Sequence, residues 1–558
     1  MKLRSFMFTG VGIATAGIVL GMRVGPLFSS GDDMRSLKKL EDAYLMITQR
    51  YVEDVDASEL TEAAIRAMLV QLDPHSVYID PERMKAVNEE FDAGYEGIGI
   101  SYELIPGPEQ QDTLAVLNPI PGGPSDDVGI LSGDRIIEIN DSTSIGIDSE
   151  EVKQRLKGPK GTTVNVTVRR PGYADLLPFT IRRDKIPLYT LDASYMLDDE
   201  TGYIRLNRFA RTSHQEFRDA LAGLQQKGMK RLVFDMRGNV GGYMDQAVYI
   251  ADDFLPAGEL IVSAKGRLPE TRETHNARGG GVFETQPLIV LVDENSASAT
   301  EIVAGALQDH DRAVIVGRRT FGKGLVQKQY KLNDGSALRV TISRYYTPSG
   351  RLIQTPYQSG DREGYYEGKH DLQVEDSHTT LAELIDHAPD SLKYHTDGGR
   401  VVLGGGGILP DYIVEPDTLS YFMQAIVGRQ IATTFVRDWL DRKGPEFKER
   451  WKDHADEFVA SFDIPDALID ELLEFAESKY DLTVTAGERT VAKPAEGLRF
   501  TTGDVAADRH LLAVVMKGRI ATRIYDRSYW YPIYDEMDSV LQVANGLWNE
   551  AENMAVMN

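Results

Sequence analysis

The sequence contains no cysteine, and this absence excludes several kinds of site. Without a thiol the chain has no disulfide, no thiolate metal ligand, no cysteine nucleophile and no acceptor for an N-terminal lipid. Histidine is scarce as well: there are ten, and none stands in a His-Glu-x-x-His pattern or another zinc-ligand spacing. We therefore expect a function that needs no metal and no organic cofactor.

Basic side chains are too few to balance the acidic ones. The chain has 61 lysines and arginines against 86 aspartates and glutamates, which gives a formal net charge of −25. Binding to phosphate backbones requires a basic face, so nucleic acid is excluded as the main partner. A solvated acidic surface instead suits a large soluble protein. The 558 residues are enough for three or four domains, and a hydrophobic share of 42% can fill several cores.

One apolar stretch near the N-terminus predicts where the protein resides. Lys2 and Arg4 precede residues 6–22, which carry no charge. An apolar stretch of this length lies on the border between a signal peptide and a membrane-spanning helix. No clean small-x-small cleavage site follows, because Arg23 interrupts that region. We expect an uncleaved anchor in the cytoplasmic membrane, with the rest of the chain extracytoplasmic (periplasmic); cleavage near residues 29–30 is the alternative.

Ser298 and Lys323 stand in two stretches that suit nucleophilic catalysis. Ser298 follows the apolar run 287–292 and opens a helical pattern, and Lys323 stands between two glycines after a second apolar run, 313–317. A serine hydroxyl needs a base before it becomes a good nucleophile. Burial disfavours the lysine cation and can lower its pKa by roughly 3–5 units, so a buried Lys323 could take the serine proton.

Structural roles for the same residues stay open at this point. Residues 298–301, Ser-Ala-Thr-Glu, also form a capping box, in which Glu301 reaches back to the start of the helix. On this motif alone the capping role is the stronger of the two, and a glycine-flanked lysine is more often a solvated charge. His310 between two aspartates suggests a Ser–His–Asp alternative, but it lies about 18 Å along the predicted helix from Ser298 and cannot reach it.

Nine short stretches occur in one order along the chain and together indicate a family. They are LDPHS (72–76), GIG (97–99), GDRI (133–136), GYIR (202–205), DMRGNVGG (235–242), SASATE (296–301), GKGLVQ (322–327), YTPSGR (346–351) and GILPD (407–411). On these residues the chain resembles the carboxyl-terminal processing peptidases of the S41 family, serine peptidases that use a Ser–Lys dyad and carry a PDZ domain. The resemblance covers residues 35–415, approximately.

The resemblance implies a fold class and a domain order. We expect an α/β peptidase core of the crotonase or ClpP-like type, with an inserted β-rich PDZ domain and helical segments at both ends. The expected segments are a signal peptide or membrane anchor (1–30), an N-terminal helical segment (31–90), the PDZ domain (91–185), the peptidase core (186–417) and a helical C-terminal extension (418–558). Inside the core, the polar residues 355–400 predict an inserted surface loop.

The resemblance also implies roles for individual residues. Carried over position by position, it makes Ser298 the nucleophile, Lys323 the general base and Gln327 the residue that orients the lysine. Ser296 stands in the same motif, but the family's spacing to the lysine selects Ser298. The Ser-x-x-Lys arrangement of penicillin-binding enzymes is excluded, because this serine is not followed by that lysine.

Two glycine-containing turns predict sites for the main chain of a substrate. For the oxyanion hole we expect backbone N–H groups at Gly241 or Gly242 and at Ala299, because glycine lets a substrate approach the backbone closely. For a substrate's terminal carboxylate we expect a nest of N–H groups in the PDZ domain, beside a strand edge that accepts the peptide by β-augmentation. The residues of this loop are Gly97, Ile98, Gly99 and Ile100.

Three functions are compatible with these residues. The first, which we expect, is a serine endopeptidase that recognises exposed, mostly apolar C-terminal tails of proteins through its PDZ domain and cuts near them. The second is a catalytically silent peptide-binding protein, but it predicts loss of Ser298 or Lys323, and neither is lost. The third is a membrane-anchored scaffold whose extension recruits other proteins. A homodimer formed through the N-terminal helices and an adaptor protein are further candidate partners.

Overall fold

The computed structural model describes residues 31–107, 111–376, 378–490 and 497–557. The predicted signal peptide or anchor, residues 1–30, lies outside the described residues. Within these ranges, no helix combines the length and the hydropathy that a bilayer crossing requires.

The described part of the chain begins with two helices that belong to a compact unit ending at Leu72. They are α1 (Gly31–Arg50) and α2 (Ala57–Val70). Asp56 caps α2, because its carboxylate accepts hydrogen bonds from the backbone N–H groups of Ser58 (2.7 Å) and Glu59 (3.1 Å). The helical character expected at this end of the chain is confirmed.

The predicted PDZ region is an antiparallel module within the second unit, which starts at Asp73. The elements up to its end are β1 (Val77–Ile79), α3 (Pro81–Phe91), β2 (Gly94–Gly97), β3 (Ile100–Ile105), β4 (Thr113–Pro119), α4 (Pro124–Asp127), β5 (Arg135–Ile139), β6 (Ser142–Thr143), α5 (Ser149–Leu156), β7 (Thr163–Arg169), β8 (Leu177–Arg182) and β9 (Asp184–Pro187). Its main sheet runs in the order β3-β4-β5-β7-β8, with β6 beside β5. Strand β3 is therefore an edge strand, where a peptide could pair.

The peptidase core alternates strands and helices. Its elements are β10 (Leu191–Met196), β11 (Thr201–Leu206), α6 (Ser213–Gln226), β12 (Arg231–Asp235), α7 (Met244–Asp252), β13 (Leu260–Gly266), β14 (Glu273–Asn276), β15 (Leu288–Val292), α8 (Ala299–Asp309), β16 (Val314–Gly317), β17 (Leu325–Lys331), β18 (Ala337–Tyr346), α9 (Arg362–Asp376), α10 (Leu381–His387), β19 (Lys393–His395), β20 (Val401–Leu403) and β21 (Tyr412–Ile413). This alternation confirms the α/β class.

Two sheets position the functional residues. The larger runs β10-β11-β12-β15-β16-β21 and is parallel except for the β10–β11 pair. All five residues of β15 are buried, as expected for a central parallel strand covered on both faces. The second sheet runs β1-β18-β13-β14, with β17 beside β18. Ser298 follows β15 and Lys323 precedes β17, so each sheet supports one of the two residues.

The segment 355–400 is not the surface loop that its polar composition predicts. It contains α9, α10, a 3₁₀ turn at Asp390–Leu392 and β19, which pairs with β20. The buried residues of α9 are Tyr365, Lys369 and Asp376, two of which are charged. Hydrophobic periodicity cannot reveal a helix whose buried face is polar and held by specific partners. The prediction of an irregular loop is wrong for this reason.

The C-terminal extension has its own core. Its elements are α11 (Tyr421–Gly428), α12 (Ile431–Trp451), α13 (Ala455–Ser461), α14 (Asp466–Tyr480), β22 (Leu482–Thr485), β23 (Leu498–Thr501), α15 (Thr502–Ile524), α16 (Trp530–Tyr534), α17 (Ser539–Asn545) and α18 (Trp548–Met557). Phe422, Phe435 and Phe458 are among its fully buried side chains. The predicted helical C-terminus is confirmed, with the short parallel pair β22–β23 as an addition.

The extension contacts the PDZ region on the side away from the core of that region. Arg523 donates to the carboxylate of Glu103 on β3 at 2.8 Å, and its carbonyl accepts from the hydroxyl of Ser132 at 2.8 Å. The neighbours of Glu103 in the strand, Tyr102 and Leu104, pack towards the PDZ core instead. Since successive side chains of a strand point to opposite faces, the extension covers one face of β3 and the PDZ core covers the other, and the backbone edge of β3 is where a peptide could pair.

The extension also contacts the peptidase core. Asp538 pairs with Arg237 through both carboxylate oxygens, at 2.9 and 2.6 Å. Asp535 accepts a hydrogen bond from the hydroxyl of Tyr195 at 2.7 Å. Helices α17 and α18 pack on strands β15 and β16 of the central sheet. The same 140-residue region, approximately, therefore links the PDZ module to the catalytic core.

Candidate active site

Ser298 lies in the turn between β15 and α8, at the wall of a cavity of about 740 Å³. Its backbone has φ = 56° and ψ = −111°, a combination that a residue with a Cβ atom rarely adopts. Strain of this kind costs of order 1–3 kcal/mol and persists only where the surrounding structure imposes it. A strained serine between a strand and a helix is also the geometry of a nucleophile elbow, which presents the hydroxyl to a substrate.

Ser296, the other serine of the motif, has a different environment. Its side chain is fully buried, and its hydroxyl donates to the carbonyl of Met236 at 2.9 Å and accepts from the N–H of Asp293 at 2.9 Å. Ser298 lines the cavity and Ser296 does not. Of the two serines, Ser298 is the one that a substrate can reach.

Lys323 lines the same cavity, and its surroundings favour the neutral amine. Burial and, after it, the guanidinium of Arg339 lower the pKa of Lys323 to about 8, against opposing effects of Glu301 and Asp73. Among the described residues, no carboxylate oxygen lies within 4.0 Å of its Nζ. A lysine with this pKa is partly neutral at pH 7 and can accept a proton.

Glu301 joins the main chains of the two residues. One of its carboxylate oxygens accepts hydrogen bonds from the backbone N–H groups of Ser298 (2.8 Å) and Lys323 (2.9 Å). The other accepts from the N–H of Gly322 and the hydroxyl of Thr320, both at 2.6 Å. Four donors stabilise a fully buried carboxylate that would otherwise be costly. The glutamate of the capping box thus reaches past the helix end to residues 318–324, the loop between β16 and β17, which we call the lysine loop.

Tyr345 on β18 links the same two main chains at their carbonyl groups. Its hydroxyl lies 2.9 Å from the carbonyl oxygen of Ser298 and 2.8 Å from that of Lys323. Burial raises the pKa of Tyr345 well above its ordinary value, so the phenol keeps its proton and donates it to these two acceptors. Ser298 and Lys323 are therefore held side by side through both their N–H and their C=O groups.

Gly241 and Gly242, the two glycines beside Ser298, differ in the hydrogen bonds that their backbone N–H groups make. The N–H of Gly241 donates to the side-chain oxygen of Asn239 at 2.9 Å. In the described part of the chain, the N–H groups of Gly242 and Ala299 donate to no protein acceptor. Gly241 has φ = 97°, and a Cβ atom there would lie 2.9 Å from the Cβ of Ser298. Of the two glycines expected as oxyanion donors, Gly242 has the available N–H group.

Gln327 lines the cavity from β17. Its Nε2 group donates to the carbonyl of His75 at 2.7 Å. No hydrogen bond between Gln327 and Lys323 is present among the residues that the structure describes. The imidazole of His75 is neutral at pH 7, since burial and then the positive charge of Lys323 lower the pKa of His75 to about 4.

The remaining cavity wall is mixed. Its apolar side chains include Phe91, Phe209, Met244, Ile302 and Leu325. Its charged side chains are Arg83, Glu90, Arg208, Lys328 and Arg339. The volume of about 740 Å³ lies within the range of ordinary ligand sites.

Comparison of the sequence with known proteins assigns the chain to a family. The model of peptidase family S41 matches residues 200–360, that of the activating protease CtpB N-terminal domain matches residues 28–83, and a PDZ domain model matches residues 116–170. The carboxy-terminal-processing protease of Bartonella bacilliformis is 35% identical over 353 residues, which cover 62% of this chain and 79% of that protein. The chain belongs to peptidase family S41.

Two relatives from Bacillus subtilis agree with this assignment. The carboxy-terminal processing proteases CtpA and CtpB are 34% and 32% identical to this S41 peptidase, over 58% and 62% of its length and 68% and 73% of theirs. The protein is accordingly a serine-type peptidase of the carboxy-terminal processing group, with a PDZ domain. The C-terminal extension, residues 418–558, lies outside the three family matches.

The loop expected to bind a carboxylate in this S41 peptidase, residues 97–100, leads into the edge strand β3. The carbonyl of Ile98 accepts from the N–H of Ser125 at 3.0 Å, and that of Gly99 accepts from the N–H of Ile120 at 2.9 Å. These bonds fix the loop to the body of the PDZ domain. A fixed loop beside an unpaired strand edge is the arrangement that β-augmentation uses.

His310 ends α8 and belongs to a separate group. Its Nε2 lies 2.8 Å from the carbonyl oxygen of Leu260, to which it can only donate, and its Nδ1 lies 2.6 Å from the carboxylate of Asp397. Together with Glu259, these side chains bring three potential ligand atoms within 4.8 Å of one another. Sequence spacing could not reveal this group, because its members come from three distant segments.

Two contributors to the S41 site are absent from the sequence prediction. Tyr345 has no local signal, because its partners are backbone carbonyls 47 and 22 positions away. His75 lies in one of the nine family stretches, LDPHS, so the family pattern could have singled it out. Its contact with Gln327 uses the backbone carbonyl, and the type of side chain therefore gives no hint of it.

Replacing Glu301 with glutamine tests the link between the two main chains. The amide keeps one oxygen but points an NH₂ group at N–H donors, so we expect the free energy of unfolding to fall by about 1–3 kcal/mol. We also expect kcat to fall at least about tenfold, because both loops lose a common anchor. Urea unfolding and cleavage kinetics measure the two effects.

The matched control for Glu301→Gln is Glu294→Gln. Glu294 pairs with Arg318 at 2.6 Å, is partly exposed and does not line the cavity. Losing such a surface pair should change the free energy of unfolding by less than about 1 kcal/mol and leave kcat as it is. Equal effects of the two substitutions would show that Glu301 has no special role.

Proposed function

We propose that this protein is a serine endopeptidase with a Ser298–Lys323 dyad, which captures C-terminal tails of proteins through its PDZ domain and hydrolyses peptide bonds near them. One observation carries the proposal: Ser298 and Lys323 line the same cavity, and Glu301 and Tyr345 hold their main chains side by side. Family membership supports the reaction class, and this geometry supports the choice of residues.

Each step of the reaction has a group to perform it. Neutral Lys323 takes the proton of Ser298, whose Oγ attacks a backbone carbonyl of the substrate. The N–H groups of Gly242 and Ala299 stabilise the tetrahedral oxyanion, each by ~3–4 kcal/mol. The ammonium of Lys323 then protonates the leaving amine, and the acyl-enzyme forms. Water attacks it by the same route, with Lys323 again acting as the base.

Gln327 has a supporting role in this scheme. The carbonyl of His75 holds its amide nitrogen, so its side-chain oxygen is the group left to accept a hydrogen bond from Lys323. Such an acceptor would orient the amine during catalysis.

We propose that the PDZ domain and the cavity together recognise the C-terminal tail of a substrate. The edge strand β3 and the loop 97–100 offer a backbone pairing edge and a nest for a terminal carboxylate. The apolar side chains in the cavity wall, Phe91, Phe209 and Met244 among them, favour apolar side chains near the scissile bond. An extracytoplasmic location with an N-terminal membrane anchor is also proposed, on the basis of Lys2, Arg4 and the uncharged residues 6–22.

Amidation of a substrate's C-terminus tests the proposed recognition. We expect an apolar-tailed protein substrate with a free carboxylate to be cleaved with a KM at least about tenfold lower than its C-terminal amide, since the amide loses the charge that the nest binds. Cleavage is followed by mass spectrometry at several concentrations. A short internal-sequence peptide, free or amidated, is the control and should show no difference. Equal KM values for the two tailed substrates would exclude recognition of the carboxylate.

A further inference from the structure

Helix α9, which lies in the segment expected to be a loop, has a buried polar face. Its three buried residues are Tyr365, Lys369 and Asp376. Spacings of four and seven residues place them on one side of the helix, which we call the strap face. Lysine and aspartate are seldom buried unless they are paired. The strap face must therefore have specific partners.

Two residues of the strap face contact the loop that carries Lys323. The carboxylate of Asp376 accepts two hydrogen bonds from Arg319, at 2.6 and 2.8 Å. The ammonium of Lys369 donates to the backbone carbonyl of Phe321 and lies over the ring of that residue. Both contacts are made to residues within four positions of Lys323.

Tyr365, the third residue of the strap face, contacts His75. The hydroxyl of Tyr365 lies 3.1 Å from Nε2 of His75, and the two rings pack edge to face with centroids 5.4 Å apart. The backbone carbonyl of His75 in turn accepts the amide proton of Gln327. The strap face thus reaches both the lysine loop and the residue proposed to orient the lysine.

The lysine loop is held from two sides. The strap face binds Arg319 and Phe321, whereas Glu301 binds Thr320, Gly322 and Lys323. Backbone N–H groups of Thr320 and Phe321 donate to the carbonyls of Ile408 and Ser296 as well. The strap face therefore adds contacts at Arg319 and Phe321 that Glu301 does not make.

Lys369 is mostly neutral at the pH where Lys323 titrates. Burial lowers the pKa of Lys369 to about 7, and the carboxylate of Glu301 opposes that shift. His75 and Tyr365 also face Lys369. Since the pKa of Lys323 is about 8, Lys369 supports the base through its contacts with Phe321 and not through a charge.

We propose that α9 is a strap that positions Lys323, with Lys369 as the central positioning residue. The inference rests on the proposed Ser298–Lys323 dyad. It adds that α9 fixes the position of Lys323, the proposed base. The strap lies beyond residue 360, where the S41 family match ends.

Lys369→Met tests the strap, because methionine keeps the length of the side chain but loses the donor and the charge. We expect kcat on a tailed substrate to fall about 10- to 100-fold at an unchanged KM, since small misplacements of a catalytic group have effects of this size. The acid limb of the pH profile should stay where it is in wild type, because Lys369 is mostly neutral where Lys323 loses its proton. Lys369→Arg should restore most of the activity. The control Lys331→Met, at an exposed lysine of β17, should behave as wild type.

Hydrogen–deuterium exchange tests the strap without relying on catalysis. In Lys369→Met we expect the N–H groups of Gly322 and Lys323 to exchange at least about tenfold faster than in wild type. Asp376→Asn, which weakens the pair with Arg319, is the second variant and should loosen the same loop. Wild-type exchange in both variants would overturn the strap whatever the nucleophile is. Wild-type kcat in Lys369→Met, with Ser298→Ala inactive, would overturn the strap and leave the dyad standing.

Discussion

Ser298→Ala is expected to lower kcat at least about 10⁴-fold while leaving the fold intact. The substitution removes one oxygen atom, and the proposed mechanism has no second nucleophile at that position. Removal of the nucleophile of other serine peptidases has effects of this size or larger, with a residual rate from binding and the oxyanion hole. Single-turnover cleavage of a tailed protein substrate, with circular dichroism to check folding, measures the loss.

Two further substitutions separate catalysis from structure at this turn. Ser296→Ala removes a buried hydroxyl bound to Met236, so we expect a loss of about 1–3 kcal/mol in the free energy of unfolding with kcat nearly unchanged. Ser298→Gly should be inactive yet more stable than wild type by about 1 kcal/mol, because glycine tolerates φ = 56° without strain. Cleavage retained by Ser298→Ala would remove Ser298 from the mechanism.

Lys323→Arg is expected to be nearly as inactive as Ser298→Ala, although it keeps the charge and most of the length. A guanidinium does not deprotonate in proteins, so it cannot take the proton of a serine. Lys323→Met should be inactive as well, because it removes the base altogether. The matched control is Lys331→Arg, at an exposed position of the strand β17 that follows Lys323, and it should retain wild-type kcat. An active Lys323→Arg enzyme would show that this lysine serves only as a charge.

The same lysine predicts the pH dependence of the wild-type enzyme. With a pKa of about 8, the neutral fraction of Lys323 is about 10% at pH 7 and about 1% at pH 6. Since the neutral amine is the base, kcat/KM should rise about tenfold per pH unit up to pH 8, approximately, and level off above it. A profile that is flat from pH 6 to pH 9 would contradict general-base catalysis by Lys323.

The motifs around Ser298 and Lys323 could be recognised in the sequence because each motif is local. An apolar strand, a small turn and a helix start place Ser298 where a helix begins, and flanking glycines place Lys323 on a loop. These features depend on residues within about ten positions of each other, which sequence patterns can read. The same patterns left open whether the motif around Ser298 served capping or catalysis. In the structure Glu301 caps α8 and also binds the loop that carries Lys323.

The segment 355–400 shows where sequence patterns fail. Its polar composition predicted an irregular loop, yet α9 buries Lys369 and Asp376 against residues more than 40 positions away. Burial of a charged residue is decided by its partner, and a single sequence does not identify that partner. Apolar periodicity therefore misses a helix that docks through charges.

The sequence by itself determined the class of fold and singled out the serine and the lysine that we propose as the dyad, because short-range spacing and composition encode the motifs around them. Only the tertiary structure decided that Ser298 and Lys323 share one cavity and that Glu301 and Tyr345 hold them together. It also decided which glycine N–H is available, since Asn239 occupies that of Gly241. These contacts involve backbone groups of distant segments. Because almost every residue has the same backbone groups, the sequence does not show which of them will be bonded.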